Sequence, residues 1–264
     1  MTRPAKGVKP KVQTDIDATA RLQADQYDRI AADYARHYGD EYSQRYRNRF
    51  INQQLFECLD LSGRTVLDAM CGSGETTGYL LTRRAEVTGL DVSEAEIAKF
   101  ERMHPSATGV CGSVFETAFQ DETFDVIAVV GGLHHLHPHL SEAVTELHRV
   151  LKKGGYLCFA EPHRGSILDS IRRFWYSRDR LFAANEEAID VAELKREFND
   201  RFAVEKEMYS GNIAYLLVLN SMVFRLPLGL KRLYSPPMMW VEGLFERFQT
   251  APTSCMAICR WRKL

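Results

Sequence analysis

The sequence lacks three features that would place it in a specialised class of protein. Its 34 basic and 35 acidic residues leave a formal net charge of -1, so there is no basic surplus for binding nucleic acid by charge. No apolar run has membrane-span length, no secretory leader opens the chain, and the six cysteines lack the paired spacing of a metal site. We therefore expect a reduced, cytoplasmic globular protein without metal, nucleic acid or stable membrane insertion.

One stretch combines an apolar strand, a polar turn and two glycines. The short apolar run ends at Asp68 and is followed by Gly72 and Gly74, then by residues typical of the first turns of a helix. This order is typical of doubly wound α/β proteins, in which a ligand lies at the carboxyl end of the strand. The next predicted strand, Glu86–Asp91, also ends in an acid, whose carboxylate can accept both hydroxyls of a ribose.

The loop distinguishes between two cofactor classes. A dinucleotide fingerprint, G-x-G-x-x-G, is absent, and Asp68 at the start of the loop would repel a pyrophosphate but attract an ammonium group. From about Tyr27 to Glu161 the chain resembles the class I S-adenosylmethionine-dependent methyltransferases, in particular the group with the ubiquinone and menaquinone biosynthesis enzymes. A nicotinamide-dependent oxidoreductase is disfavoured. A non-catalytic protein that binds the cofactor stays open.

The resemblance implies S-adenosylmethionine as cofactor and gives each part of it a place. Asp68 and the glycine loop would meet the methionine portion, and Asp91 the ribose. Ser113 stands where the family usually has an aspartate, and Met70 where it commonly has a glycine. The implied cofactor residues are Tyr34, Asp68, Ala69, Gly72, Gly74, Asp91, Val92, Gly112, Ser113, Val114 and Gly131, with Tyr46 and Arg49 as weaker candidates.

The segment after the fourth predicted strand faces the expected position of a methyl acceptor. Histidine titrates near neutral pH, so His134 or His135 is a candidate general base, with a role in the pocket wall as the alternative. Glu161 and His163 are expected to line the acceptor pocket. The predicted reaction is O-methylation of a small, largely apolar acceptor in a biosynthetic pathway. N- or C-methylation of a lipid-like, quinone-like or peptide natural product stays open.

Alternating strands and helices predict the fold. We expect a doubly wound, Rossmann-like seven-stranded sheet with helices on both faces, an N-terminal helical cap and a helical insertion before the last strand. Predicted strands are Thr65–Ala69, Glu86–Asp91, Ala107–Cys111, Phe124–Val130, Gly155–Glu161, Arg201–Tyr209 and Cys255–Arg262. One predicted helix begins at Ser93, and three others span Leu140–Leu151, Ser166–Trp175 and Val191–Phe198. The helix Leu140–Leu151 is expected to end because of the glycine stop Gly154–Gly155.

Five segments are predicted along the chain: a mobile basic tail (1–17), the cap (18–61), the cofactor-binding core (62–211), the insertion (212–250) and the closing strand (251–264). Apolar residues at spacings of three and four predict two amphipathic helices in the insertion, separated by turns at Leu226–Gly229 and Ser235–Pro237. We expect it to roof the acceptor pocket, with Trp240 against the acceptor. An extension of the core, a homodimer interface, or contact with a membrane surface through Arg225, Lys231 and Arg232 stay open.

Overall fold

In a computed structural model, the described residues are 37–166, 187–222 and 224–264. The predicted tail, Tyr34 and most of the predicted helix Ser166–Trp175 lie outside them. The strands are β1 (Thr65–Ala69), β2 (Glu86–Asp91), β3 (Thr108–Cys111), β4 (Phe124–Val130), β5 (Leu151–Pro162), β6 (Phe202–Ser210) and β7 (Met256–Lys263). The α-helices are α1 (Glu41–Arg47), α2 (Gln53–Phe56), α3 (Thr77–Thr82), α4 (Glu94–Met103), α5 (Leu140–Val150), α6 (Val191–Glu197) and α7 (Lys231–Phe245).

The sheet has the predicted seven strands, in the order β3-β2-β1-β4-β5-β7-β6. The first five strands pair in parallel, and β7 runs antiparallel to both β5 and β6. Parallel strands end at the same edge of the sheet, so the residues that follow β1, β2 and β4 are brought together there.

Alternation along β4 explains why both faces of the sheet are covered. Val126 and Ala128 pack into one core, against α1, α2 and α3, whereas Ile127 and Val129 pack into the other, against α5 and α6. All four side chains are buried. Successive residues of a strand point to opposite faces, so a strand that is apolar throughout requires helices on both sides.

The predicted glycine stop after α5 is wrong. The helix ends at Val150, and Leu151 already has extended backbone with ψ 134°. Gly154 lies inside β5 with φ +76°, next to the register shift between β4 and β5. The glycine therefore serves a strand irregularity, which sequence reading assigned to a helix end.

The predicted turn at Ser235–Pro237 is also wrong, because Pro236 and Pro237 lie within α7. Both prolines are exposed, so the carbonyl groups left without a donor lie on the solvent side of the helix. The other predicted turn coincides with a 3-10 turn at Leu228–Leu230, and a π-helix at Tyr215–Leu219 precedes it.

The insertion is fastened to α1 by buried polar groups on α7. Lys231 Nζ donates to His37 O at 2.9 Å and to Ser43 Oγ at 2.7 Å, and pairs with Asp40. Glu242 is fully buried and accepts the N–H groups of Asn212 (2.9 Å) and Ala214 (2.7 Å) and the hydroxyl of Tyr46 (3.2 Å). Lys231 is thus occupied within the fold.

Candidate active site

A pocket lies at the carboxyl ends of β1, β2 and β4, where the topology brings the predicted motifs together. The predicted residues that line it are Asp68, Gly72, Asp91, Val92, Gly112, Ser113, Val114, Gly131 and His135. It is also lined by Arg47, Met70, Cys71, Glu75, Thr76, Leu90, Glu96, Phe115, Val130, Gly132 and Leu136.

Asp91 ends β2 and is held by two backbone donors. Its Oδ2 accepts the N–H of Gly72 at 2.9 Å, and its Oδ1 accepts the N–H of Ser93 at 3.0 Å. Ser93 also caps α4, since its Oγ accepts the N–H of Glu96 at 3.2 Å, as the sequence predicts. Each carboxylate oxygen keeps a further acceptor position, which is what two neighbouring hydroxyl groups of a ligand require. Burial raises the pKa of Asp91.

Asp68 lies at the end of β1 and is 2% exposed. Its Oδ2 accepts the hydroxyl of Thr77 at 2.6 Å, a bond that favours the ionised carboxylate. Burial acts in the opposite direction and is the larger effect, raising the pKa of Asp68 to about 7. A cationic group bound beside Asp68 would therefore stabilise a carboxylate that is only partly ionised at neutral pH.

Arg47 at the end of α1 is a pocket residue that the sequence did not predict. It lines the pocket, is 6% exposed, and its Nε has no hydrogen-bond partner among the described residues. Tyr46 and Arg49, the weaker cofactor candidates from the sequence, do not line the pocket. Tyr46 is buried against Glu242, and Arg49 lines an outer groove beside α7. A guanidinium on this pocket suits a carboxylate ligand group.

The two glycines of the loop have different roles. Gly72 lines the pocket with φ +53°, as predicted. Gly74 does not line it, and a Cβ there would lie 2.5 Å from the ring of His104 and 2.9 Å from that of Phe100. The glycine makes room for α4. Ala69 is buried in the core behind the loop and does not line the pocket either.

Met70 occupies the position where the resembling family commonly has a glycine, and it adopts φ +57°. Its side chain fills space left by Gly132, where a Cβ would lie 2.8 Å from Met70 Sδ. By contrast, a Cβ on Gly131 would meet nothing within 4 Å. There is therefore free space beside Gly131, whereas the space beside Gly132 is filled by the sulfur of Met70.

Glu161 at the end of β5 organises the loop that follows β4. The carboxylate is fully buried, and its Oε1 accepts the N–H groups of Gly132 and Leu133, each at 2.8 Å. Its Oε2 lies 2.8 Å from His134 Nδ1. Burial raises the pKa of Glu161 to about 7. Glu161 was predicted to line the acceptor pocket, but the structure places it beneath the loop as a partner of His134.

The two adjacent histidines are in contact, with ring centroids 3.9 Å apart, but their surroundings differ. His135 lines the pocket and is 8% exposed, and burial lowers its pKa well below the ordinary value. It is therefore neutral at pH 7 and suits the pocket wall. His134 is not among the lining residues, and its ring is oriented by the carboxylate of Glu161.

The structure places two predicted acceptor residues away from the pocket. His163 is buried, with Nδ1 2.9 Å from Arg164 O and Nε2 3.0 Å from Ser254 O. Trp240 lies on the outer side of α7. No described residue of the insertion lines the pocket. Tyr34 lies outside the described residues, so its predicted cofactor contact stays a prediction.

Residues 67–159, which run from β1 to β5, match the family described as methyltransferase domain. This part of the chain is therefore similar to a methyltransferase domain. The domain is 40% identical over 108 residues to a phthiotriol/phenolphthiotriol dimycocerosates methyltransferase of Mycobacterium ulcerans, covering 39% of each chain. It is 36% identical over 118 residues to an uncharacterised methyltransferase of Synechocystis, covering 44% of this chain and 56% of that one.

The chain thus spans about two fifths to just over half of the length of these curated relatives. Among solved structures, the [4+2]-cyclase SpnF superposes with a TM-score of 0.59 at 18% identity, covering 84% of this chain and 80% of that one. At that identity the likeness concerns the fold alone.

The methyltransferase family and the fold imply S-adenosylmethionine as the cofactor. The pocket residues fit this group. The unpartnered Nε of Arg47 and the buried Asp68 match the carboxylate and ammonium of an amino acid, and Asp91 matches the ribose. Ser113 and Val114 line the end where the resemblance expects adenine.

Groups of acidic, histidine and cysteine side chains that could hold a metal ion are not found within residues 37–166, 187–222 and 224–264. The same part of the chain contains no helix long and apolar enough to cross a membrane.

Proposed function

We propose that the protein transfers a methyl group from S-adenosylmethionine to a hydroxyl group of a largely apolar, lipid-like acceptor. The observation that carries the proposal is the grouping of Arg47, Asp68 and Asp91 in one pocket at the carboxyl ends of parallel strands. These are the opposite charges and hydrogen-bond acceptors that an amino acid joined to a ribose requires.

Each of these residues has one task in binding. Arg47 binds the carboxylate of the methionine portion, Asp68 its ammonium, and Asp91 the ribose hydroxyls. When bound, the cofactor supplies a methyl group on a positively charged sulfur. Because Arg47 and Asp68 are both buried, their interaction with a zwitterion is little screened by solvent. The chain's contribution to the reaction is to hold donor and acceptor in line and to exclude water.

We assign the proton of the acceptor hydroxyl to His134, whose ring packs on that of the pocket-lining His135 with centroids 3.9 Å apart, so that the acceptor would lie on this side of the pocket. His134 Nδ1 lies on the buried carboxylate of Glu161, which favours the tautomer with a proton on Nδ1 and makes Nε2 the basic nitrogen. Once Nε2 is protonated, Glu161 stabilises the imidazolium. The arrangement follows the general logic in which a carboxylate orients a histidine base. Burial lowers the pKa of His135, which makes it the weaker proton acceptor of the two predicted bases.

Two observations support the apolar acceptor. The mycobacterial relatives are named for phthiotriol dimycocerosates, which are lipids. The pocket is also lined by apolar groups, including Val130, Leu136 and Phe115. Methylation of nitrogen or carbon is the alternative for this acceptor, and it is favoured if His134 proves dispensable, because an ionised acceptor needs no base.

The fold is shared with SpnF, which is described as a [4+2]-cyclase. Since the fold can belong to a protein named for another reaction, binding of the cofactor would not by itself establish methyl transfer. The alternative is a cofactor-binding protein that does not transfer the methyl group.

The test combines binding and transfer. Calorimetry with S-adenosylmethionine and its demethylated product is expected to show binding, and Asp91→Ala is expected to weaken it by about 1.5–3 kcal/mol. Incubation with methyl-labelled cofactor and a cell extract is expected to move label into the organic phase, and less so with Asp91→Ala. Binding without transfer would favour the non-catalytic class. Label confined to water-soluble products would contradict the apolar acceptor.

A further inference from the structure

Helix α7 exposes an apolar face to solvent, although its inner side also packs apolar residues, Tyr234, Met238 and Met239, against the core. Lys231, Ser235 and Glu242 are spaced by four and seven residues and share the buried face. The opposite face carries Leu233, Pro237, Trp240 and Leu244, which we call the outer stripe. A helix on a globular protein normally directs polar side chains to solvent, so the apolar outer stripe needs a reason outside the described fold.

The outer stripe is exposed to an unusual degree. Leu233 and Trp240 are each 65% exposed and Leu244 is 52% exposed. Leu230, Phe245 and Phe248 extend the exposed apolar surface at both ends of the helix. Single exposed apolar residues are common, but a contiguous group on one element marks a binding surface.

The ionic groups beside the outer stripe are basic. Arg232 and Arg247 are exposed within the segment, and Arg49 of the π-turn after α1 lies against Gly243, where a Cβ would come within 2.7 Å of its guanidinium. The two acids of the segment are engaged elsewhere. Glu242 is buried, and Glu246 accepts a hydrogen bond from Gln54 at 2.9 Å.

A groove between α1 and α7 continues this surface. It is lined by Arg45, Asn48, Arg49, Gln53, Tyr79, Pro236, Met239 and Trp240, and none of these described residues is acidic. Arg45 pairs with Glu41 at 2.6 Å, whereas the guanidinium of Arg49 lies beside Gly243 of α7 and lines the groove together with Trp240. An aromatic ring between apolar side chains and guanidinium groups is typical of a membrane interface.

We propose that the outer stripe of α7 docks the protein on the surface of a membrane that contains anionic lipids. The apolar side chains enter the acyl boundary, and Arg49, Arg232 and Arg247 meet the phosphates. A second copy of the chain fits less well, because a two-fold interface would set this basic surface against itself. The proposal goes beyond methyl transfer and does not depend on it.

The test is flotation of the full chain with vesicles, without cofactor or acceptor. We expect binding to vesicles of phosphatidylcholine mixed with phosphatidylglycerol, weaker binding to phosphatidylcholine alone, and loss of binding at high salt. Trp240→Ser is expected to reduce the partition coefficient about tenfold, and Arg232→Glu several-fold. Neither contacts the pocket, so S-adenosylmethionine affinity serves as the check that each variant is folded.

The matched controls lie on α4. Met103 is 61% exposed and Arg102 is exposed. Met103→Ser and Arg102→Glu make the same chemical changes away from the outer stripe and are expected to leave flotation unchanged.

Three results would overturn the proposal. One is absence of flotation with anionic vesicles, and another is equal loss of flotation in the α4 controls. The third is a dimer in solution that Trp240→Ser converts to a folded monomer without any vesicle binding by the wild type, which would assign the outer stripe to a second copy. Failure of cofactor binding, in contrast, would contradict the proposed function and leave the vesicle result standing.

Discussion

The buried carboxyl of Asp68 makes a prediction about the pH dependence of cofactor binding. Burial raises its pKa to about 7 in the protein without ligand. The ammonium of the methionine portion would favour the ionised form and lower that pKa. Binding therefore releases a proton from Asp68, and the affinity falls as the pH falls through 7, because the protonated carboxyl must first ionise.

The size of the effect follows from the pKa. With a pKa of about 7, protonation of Asp68 reduces the affinity about 2-fold at pH 7 and about 11-fold at pH 6, if the bound form stays ionised. The ligand's own amine, with an ordinary pKa of about 7.8, remains largely protonated over this interval. We expect binding to be about fivefold weaker at pH 6 than at pH 7.

Calorimetry at the two pH values, in buffers of different ionisation enthalpy, measures both the affinity and the released proton. Asp68→Asn keeps the shape of the side chain but cannot ionise, so it should bind more weakly at pH 7 and show almost no change to pH 6. Glu161 also has a pKa of about 7 and lies outside the pocket, so Glu161→Gln should retain the pH dependence. If Asp68→Asn kept the fivefold change, the reasoning from burial would be refuted.

Three further predictions concern individual contacts. Glu161→Gln should lower the rate of transfer about 10- to 10³-fold in single-turnover assays while cofactor affinity is preserved, because His134 loses the carboxylate that favours its basic tautomer. Arg47→Gln should weaken binding of S-adenosylmethionine by about 1.5–3 kcal/mol, measured by calorimetry, but leave a decarboxylated analogue unaffected. Glu242→Leu should lower the free energy of unfolding in urea by about 2–4 kcal/mol, because it leaves the part-buried N–H of Asn212 and the buried N–H of Ala214 unpaired.

The controls differ for each of these changes. For Glu161, an unchanged rate would limit its role to holding the loop. For Arg47, equal losses with both ligands would show a disturbed pocket instead of a lost carboxylate contact. For Glu242, the matched change is Glu246→Leu, which removes a half-exposed acid that accepts from Gln54 alone and should cost less than about 1 kcal/mol.

The part of the fold built from local patterns could be predicted from the sequence. The bounds of β1, β2 and β4 agree with the apolar runs, because a strand buried on both faces is marked by its own residues. Asp91 could be predicted for the same reason, since it is the last residue of β2 and the parallel order of the sheet fixes its position at the edge.

The part that depends on packing between distant segments could not be predicted. Arg47 reaches the pocket because of the face that α1 presents to the sheet, which its spacing from Tyr46 and Arg49 does not reveal. Glu161 meets His134 only after β4 and β5 have paired. The prolines of α7 led to the wrong prediction of a turn at Ser235–Pro237, because the hydrogen bonds of Lys231 and Glu242 hold this segment in a helix.

The ring of Phe100 couples two glycines that are distant in sequence. A Cβ on Gly89 would lie 2.5 Å from two atoms of this ring, and a Cβ on Gly74 would lie 2.9 Å from a third. Neither glycine can gain a methyl group while the phenyl ring stays, and the buried ring cannot shrink without leaving a cavity beneath both. Position 89 can therefore become larger only after position 100 has become smaller and Cys71 Sγ, which would lie 2.9 Å from the added Cβ, has moved away. In homologous chains, a larger residue at position 89 is expected to occur together with a smaller residue at position 100.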